Sequence, residues 1–252
     1  MIEYGTSAGV ARITLNRPDK RNAITSEMMA ALCEALARAR EDSTVRVLLI
    51  RGAGKDFCAG LDLGEVLKSA ENAEGSLASA RRLGDLYIAM RRHPKPIVAA
   101  VRGSAIGGGA GLATASDLIL ASESAVFGYP EVKLGFIPAI VTTMLRRAVN
   151  ERIAFELAVD AEPISAQRAL AIGLINRVYP DDEFESAVDH YVSALAKKSA
   201  TAISLTKNLL YQMDGLSFEA AIEAGVQANA LARMTDDFKA GVEQFLRARK
   251  SR

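Results

Sequence analysis

Residues 103–118 read GSAIGGGAGLATASDL, and they follow a strand-like run, PIVAAVRG, at 96–103. Three consecutive glycines and Gly111 stand where a helix begins, although a glycine within a helix costs about 1 kcal/mol relative to alanine. The first amides of a helix have no helical acceptor, and glycines allow a substrate to approach them closely. The stretch therefore predicts either a backbone hydrogen-bond donor at a binding site or close packing of this helix against a strand.

The spacing of these glycines does not match the common phosphate-binding loops. A dinucleotide-binding G-x-G-x-x-G that starts at Gly107 would need a glycine at Leu112. In GAGKDF, the first glycine of a phosphate loop is replaced by Leu49. A serine-hydrolase elbow around Ser104 would need a glycine in place of Arg102. We therefore expect backbone chemistry here and no nucleotide-binding loop.

Composition is that of an ordinary globular chain. Of 252 residues, 50% are hydrophobic and 24% are charged. The 31 Lys and Arg nearly balance 30 Asp and Glu, so no strong field draws the protein to nucleic acid or an anionic membrane. We see no signal peptide and no membrane-spanning run, and two cysteines, Cys33 and Cys58, fit a reducing compartment. We expect a cytoplasmic protein without nucleic-acid or membrane partners.

Apolar periodicity predicts an α/β architecture in which strands alternate with helices. Strand patterns lie at 10–15, 45–52, 96–103 and 117–122, and helical stripes follow each of them. From about residue 165 the pattern is helical throughout, with helices near 183–197, 200–213 and 217–234. We predict an α/β core at 1–190 and a helical region at 191–252 whose apolar stripes need a partner surface.

Metal chemistry has little support in the sequence. The two histidines, His93 and His190, are far apart, and neither stands in a metal-binding spacing. We therefore predict no metal site.

Five segments resemble the crotonase, or enoyl-CoA hydratase/isomerase, superfamily, and they occur in the family's order across the whole chain. They are LNRPDKRNAIT at 15–25, DFCAGLDL at 56–63, the glycine block at 103–122, FGYPEVKLGFIP at 127–138 and ALAIGLINRVYP at 169–180. The resemblance implies a crotonase-like spiral of strand–strand–helix (ββα) units. It also implies a C-terminal helical region that packs homotrimers, often doubled to hexamers, and an acyl-coenzyme A thioester as substrate, with no further cofactor.

The family holds the enolate-like thioester oxygen with two backbone N–H groups. Matched by motif, these are Ala59 and Gly108, and such donors need no titrating side chain. Besides a contact with substrate, Asp62 can be interpreted as a helix cap. Lys20 and Arg21 can likewise be interpreted as solvated charges. The coenzyme A contact at Phe245 lacks its usual lysine, which is Ala248 here, although Arg249 and Lys250 stand next to it. The resemblance implies substrate contacts at Lys20, Arg21, Phe57, Gly60, Leu61, Asp62, Leu63, Gly107, Gly111, Pro130 and Phe245.

Family hydratases commonly use two glutamates, of which this chain keeps one. Glu131 is present between Pro130 and Val132, where an apolar setting is expected to raise its pKa and suit proton transfer. The other glutamate is replaced by Gly111. We expect that this loss either enlarges the acyl pocket for a branched or polar acyl group or allows a close helix–strand contact.

The single glutamate leaves the reaction type open. In a hydratase, Glu131 activates water for attack on the β-carbon of a 2-enoyl thioester, and in a Δ3,Δ2-enoyl isomerase it moves a proton between the α- and γ-carbons. Family hydrolases and dienoyl isomerases commonly carry an aspartate at the position of Ala139. Its absence here makes both of these activities less favoured. A non-catalytic acyl-CoA-binding member is a further alternative.

The segment GFIPAIVTTML resembles hydratases of branched or dicarboxylic thioesters, such as methylglutaconyl-CoA. A charged acyl branch would need a cation, and the sequence offers Arg81, Arg82 and Arg91 for it. Arginine rows on helices are usually solvated, so these arginines have that second interpretation. We predict an enoyl-CoA hydratase, with the isomerase second.

Overall fold

The computed structural model describes residues 1–250, and at Lys250 it describes the backbone alone. Its strands are β1 (Ile2–Ser7), β2 (Val10–Leu15), β3 (Val47–Gly52), β4 (Ile97–Val101), β5 (Ser104–Ile106), β6 (Leu118–Ser122), β7 (Val126–Gly128), β8 (Ile164–Ser165) and β9 (Arg177–Tyr179). Its α-helices are α1 (Ser26–Glu41), α2 (Leu63–Ser69), α3 (Ala73–Arg91), α4 (Gly108–Thr114), α5 (Ala139–Ala148), α6 (Glu151–Asp160), α7 (Ala166–Ala171), α8 (Phe184–Ala196), α9 (Ala200–Gln212), α10 (Phe218–Met234) and α11 (Asp236–Lys250). Short 3₁₀ helices cover Pro18–Lys20, Pro130–Leu134 and Met213–Gly215.

The strands form two sheets. The larger sheet has the order β1-β2-β3-β4-β6-β9, and it is parallel apart from the antiparallel pair β1–β2. The smaller sheet has the order β5-β7-β8. Strands β3 and β4 are the continuous apolar runs of the sequence, as expected for parallel strands that helices cover on both faces.

Successive units of the chain repeat one pattern. Each unit gives a strand to the larger sheet, then a short segment to the smaller layer, and then a helix. After β3, Cys58 forms a bridge with Ala105 before α2 begins, whereas β4 continues through β5 into α4. β6 continues in the same way through β7 towards α5. The bridge from Cys58 to Ala105 places β5 beside the loop at 56–63, and β7 pairs with the other side of β5.

The core continues past the predicted boundary between residues 190 and 191. That boundary falls inside α8, and both Val188 and Val192 are buried against the larger sheet. Their sheet partners include Val47 and Val98. The whole of α8 thus packs on the α/β core, and the division into a core and a C-terminal helical region stays a prediction.

The region after residue 165 is not helical throughout. β9 pairs in parallel with β6 and forms the edge of the larger sheet. The sequence pattern did not predict this strand, because three residues are too few to show alternation of apolar and polar side chains. Beyond α8, α9 is fixed to the core by an ion pair of 2.7 Å between Lys207 and Asp117. No helix in residues 1–250 is both long and apolar enough to cross a membrane.

Helices α10 and α11 expose large apolar side chains. These are Phe218, Ile222, Val226, Leu231, Met234, Phe238, Val242, Phe245 and Leu246, named below the apolar C-terminal face.

Candidate functional site

The first turn of α4 presents the amide that the sequence predicts as a donor. Gly107 precedes the helix with φ +53°, and its own amide donates to the carbonyl of Gly128 at 2.8 Å. Gly108 is the first helical residue, so its N–H has no acceptor in the preceding turn. A Cβ on Gly107 would lie 3.2 Å from Oε1 of Glu131. Both the positive φ and this contact explain the glycine at 107.

The prediction that the Ala59 amide is the second donor is wrong. Its amide donates to the carbonyl of Arg21 at 2.9 Å, so this hydrogen is committed to the loop. Two residues later, Leu61 forms a parallel bridge with Ile24. That bridge uses the carbonyl of Gly60 and the amide of Asp62, and within residues 1–250 the Leu61 amide donates to no acceptor.

Leu61 lies beside the start of α4. Its nitrogen is 3.6 Å from the point where a Cβ on Gly108 would stand, and its Cγ is 3.1 Å from the same point. The amides of Leu61 and Gly108 are therefore neighbours from separate loops. The sequence of this loop does not indicate whether the amide of Ala59 or that of Leu61 is available, because hydrogen bonds with the segment at 21–24 decide it.

Glu131 reaches the same place from the 3₁₀ helix Pro130–Leu134. Pro130 opens this helix, where its missing amide is not needed. The carboxylate is half-buried, and its Oε2 is buried and accepts no hydrogen bond from the residues described. Burial raises the pKa of Glu131 above its ordinary value. A hydrogen bond from its own backbone lowers the pKa by a smaller amount. An underbonded carboxylate of this kind suits proton transfer.

A cavity of about 480 Å³ joins these groups. Among the lining residues that the structure describes, Glu131 is the one ionisable side chain, and three serines are the other polar ones. The apolar wall comes from α2 and α3 on one side and from the segment that leads into α5 on the other. The lining residues are Leu61, Val66, Ser69, Ala70, Ser76, Leu77, Ser79, Ala80, Leu83, Gly108, Glu131, Phe136, Ile137, Pro138, Ala139, Ile140 and Val141.

A family model described as enoyl-CoA hydratase/isomerase matches residues 5–252. The chain belongs to this family. It is 38% identical to a Thermus thermophilus protein with an enoyl-CoA hydratase name, over 96% of each chain. It is 34% identical to the 2,3-dehydroadipyl-CoA hydratase of Escherichia coli, over 95% of this chain and 93% of that one.

An enoyl-CoA hydratase structure from Mycobacterium smegmatis matches with a TM-score of 0.94 and 31% identity. The match covers 98% of this chain and 96% of that one. The predicted crotonase fold and the prediction of an enzyme of this family are therefore confirmed. Members of the family bind acyl-CoA substrates.

The position of the missing family acid is filled by neighbours. Gly111 is buried, and a Cβ there would lie 2.3 Å from the Tyr87 hydroxyl and 2.7 Å from Cγ2 of Val141. Gly111 does not line the cavity, so the expectation that it enlarges the acyl pocket is wrong. The second interpretation, close packing of the helix, describes it correctly. Sequence patterning places Tyr87 in a helical stripe but does not show where its hydroxyl points.

The loop at 56–63 is mostly structural. Phe57 is 1% exposed and lies in the core, so its prediction as a wall of the coenzyme pocket is wrong. Asp62 caps α2 by accepting from the amides of Gly64 and Glu65, and it pairs with Arg17 at 2.9 Å. The cap interpretation of Asp62 is thus confirmed. Leu63 is 60% exposed beside it, and its contact with substrate stays a prediction.

Gly60 holds the loop against β5. Its carbonyl accepts from Ile24 at 2.8 Å, and a Cβ on it would lie 3.0 Å from the carbonyl of Ile106. Its backbone therefore brings Leu61 to Gly108, and a direct substrate contact at Gly60 stays a prediction.

Arg21 fastens the turn at 17–25 to the neighbouring loops. Its guanidinium pairs with Asp56 at 2.9 Å and donates to Ser104 at 2.7 Å. The hydrogen bond from Arg21 lowers the pKa of Asp56 to about 2. Lys20 is exposed at the end of the 3₁₀ helix Pro18–Lys20, and its coenzyme A contact stays a prediction.

Asn22 is a positioning residue that the sequence prediction missed. It is fully buried and donates to the carbonyls of Ala53 and Asp56 at 2.9 and 2.8 Å. It also accepts from the amide of Arg17 at 2.9 Å. A polar residue in a turn gives no sequence signal of such burial.

The distant predicted contacts are not brought to the cavity. Phe245 is 63% exposed on α11 and belongs to the apolar C-terminal face, so its coenzyme A contact stays a prediction. Arg81 and Arg82 are exposed on α3. Arg91 pairs with Asp214 and stacks on Tyr211, with 3.8 Å to the ring centre. None of these arginines lines the cavity.

Proposed function

We propose that this chain is an enoyl-CoA hydratase that adds water to a 2-enoyl-CoA thioester. The observation that carries the proposal is the position of Glu131 beside the amides of Leu61 and Gly108; within residues 1–250 it is the one ionisable residue that lines the cavity. These are a proton-transfer group and two oxyanion donors, which are the parts this reaction needs.

In the proposed mechanism, the Glu131 carboxylate accepts a proton from water while the oxygen bonds to the β-carbon. The electron pair of the double bond moves to the thioester oxygen, and the N–H groups of Leu61 and Gly108 stabilise the resulting enolate. Glu131 then returns the proton to the α-carbon. One water is added in total, and the carboxylate ends as it began.

The chemistry is carried by backbone donors and one carboxylate, so we propose that coenzyme A enters as part of the substrate and that no further cofactor acts. Loss of one oxyanion donor typically costs about 2.7–4 kcal/mol of transition-state stabilisation. Because the two donors come from separate loops, their separation depends on the Arg21 and Asn22 contacts described above.

An isomerase that shifts the double bond of a 3-enoyl thioester is the second candidate. It is favoured by the absence of a second acid among the cavity residues, because moving one proton needs one carboxylate. Glu131 would take the proton from the α-carbon and return it to the γ-carbon. A non-catalytic acyl-CoA-binding protein is the third candidate, and the underbonded carboxylate argues against it.

The lining favours an uncharged acyl group. A terminal carboxylate, as in the dehydroadipyl group named for the Escherichia coli relative, would meet Glu131 and no cation among the residues of 1–250 that line this cavity. A branch of the acyl group that pointed towards Gly111 would meet Tyr87 and Val141. We therefore place apolar acyl thioesters ahead of the methylglutaconyl-like substrates that the sequence resemblance favours.

A panel of thioesters tests these candidates. Straight, branched and carboxylated 2-enoyl and 3-enoyl-CoA esters are incubated with the protein, and products are followed by mass spectrometry. A mass gain of one water is the expected result, whereas a shifted double bond at unchanged mass would favour the isomerase. Binding without turnover of any ester would overturn both enzyme proposals.

We also propose that the apolar C-terminal face is covered in a homotrimer, or in a hexamer formed by two trimers, in the cytoplasm. An apolar surface of this extent is unusual on a monomer. Light scattering of the purified protein at several concentrations measures its mass in solution. A monomer at all concentrations would contradict the assembly.

A further inference from the structure

Tyr87 lies behind the first turn of α4 and touches the backbone of a proposed donor. It is 2% exposed, and its hydroxyl donates to the carbonyl oxygen of Gly108 at 2.8 Å. It does not line the cavity. The phenol therefore reaches the donor residue from the core and not from the substrate side.

Tyr87 and Gly111 are complementary in shape. A Cβ on residue 111 would lie 2.3 Å from the Tyr87 oxygen and 3.0 Å from Cζ, well inside van der Waals contact. Any side chain at 111 would displace the hydroxyl from Gly108. Gly111, which replaces the family acid, thus leaves the space that the hydrogen bond from Tyr87 to Gly108 needs.

The backbone around Gly108 is held on both sides. Before it, the Gly107 amide donates to Gly128 at 2.8 Å, and after it, the carbonyl of Gly108 accepts from Tyr87. Glycine has the widest backbone freedom of any residue, so the direction of the Gly108 N–H depends on such hydrogen bonds. We propose that Tyr87 is a positioning residue that sets the direction of the Gly108 amide at the oxyanion hole, an inference that rests on the proposed function.

A direct catalytic role for Tyr87 does not fit the geometry. Its hydroxyl is used by Gly108 and is separated from the cavity surface. Burial raises the pKa of Tyr87 well above its ordinary value, so the phenol keeps its proton and stays a donor. Its effect on the reaction must pass through Gly108.

The test compares Tyr87→Phe with Tyr211→Phe. The first variant removes one oxygen and keeps the ring that fills the space beside Gly111. The control removes the bond from Tyr211 to Asp117, a side-chain hydrogen bond away from the cavity. Thermal unfolding and circular dichroism show that each variant is folded before kinetics are measured.

For Tyr87→Phe we expect kcat to fall about tenfold with KM changed less than about twofold. This loss is smaller than the roughly hundred- to thousandfold loss of a whole donor, because the amide is misdirected and not removed. In a bound ¹³C-labelled thioester, the carbonyl stretch should return towards its value in water. Tyr211→Phe should change neither kcat nor the stretch.

A measurement without substrate separates this inference from the proposed function. In protein labelled with ¹⁵N-glycine, the Gly108 amide resonance should move in Tyr87→Phe and stay in place in Tyr211→Phe. Unchanged kcat together with an unchanged Gly108 resonance would overturn the positioning role. If wild-type protein turns over no thioester but the resonance moves as expected, the proposed function fails while the contact stands.

Discussion

Two turns of α4 use glycine for opposite purposes. At the residue before the first turn, a Cβ on Gly107 would lie 3.2 Å from the Glu131 carboxylate, and the missing side chain leaves room for that carboxylate. One turn later, a Cβ on Gly111 would meet Tyr87 and Val141, and the missing side chain is replaced by core atoms. The position of a missing family acid is therefore not an empty space. Its volume is taken by whatever the fold packs there.

The largest effect is expected at Glu131, the group that the first turn faces. Glu131→Gln keeps the size of the side chain and removes its ability to accept a proton, so kcat should fall about a hundred- to ten-thousandfold. Thioester binding, measured by calorimetry, should persist. Glu156→Gln, at an exposed position of α6, is the matched control. Retained turnover in Glu131→Gln would remove Glu131 from the mechanism.

A smaller loss of activity is expected from Gly107→Ala. The added methyl group would press on Oε1 of Glu131 and occupy a residue with φ +53°, which L side chains rarely adopt. A displacement of the carboxylate should lower kcat/KM about tenfold to a hundredfold. Gly5→Ala is the control, because nothing lies within 4 Å of its Cβ position. Equal activity of the two variants would show that the first turn tolerates a side chain.

Gly111→Ala should act on stability. Overpacking against Tyr87 and Val141 is expected to lower the free energy of unfolding by about 1–3 kcal/mol in urea titrations. In a double-mutant cycle, Tyr87→Phe should recover part of this loss, because the closest contact disappears. Gly84→Ala, in α3 with nothing near its Cβ position, should be neutral or stabilising. Additive effects of the Tyr87 and Gly111 variants would contradict the packing interpretation.

The smallest effect concerns pH. Because burial raises the folded-state pKa of Glu131, its contribution to stability is present below the unfolded pKa and is lost as pH rises through the folded pKa. Glu131→Gln should therefore unfold at a higher temperature than wild type near neutral pH. This gain should vanish in acid below the ordinary pKa of 4.5. A gain that is independent of pH would point to another cause.

Sequence patterning located the long elements because they are periodic. The strands at 47–52, 97–101 and 118–122 are apolar runs, and the helix that begins at Gly108 follows from the glycine stretch. The short strands β5, β7 and β8 were missed, because two or three residues cannot show alternation. The site depends on those short strands, since they bring the loops at 56–63 and 128–131 to the start of α4.

Several site assignments depended on partners far away in the chain. Ala59 and Leu61 are equally plausible donors in the loop sequence, and only the contacts of Arg21 and Ile24 show which amide is already used. Phe57 looks like a pocket wall until its burial is known. Hydrogen-bond direction and burial are properties of the packed chain, so motif matching cannot supply them.

The amino-acid sequence by itself determined the family, the α/β class, the start of α4 and the presence of Glu131, because these depend on local periodicity and on motifs. The tertiary structure decided which amide of the loop at 56–63 lies beside Gly108, what occupies the space beside Gly111, and that no cation of the described residues lines the cavity. The physical reason is that each of these follows from contacts between segments at least 20 residues apart, such as Tyr87 with Gly108. Such contacts exist only once the sheets and helices have packed.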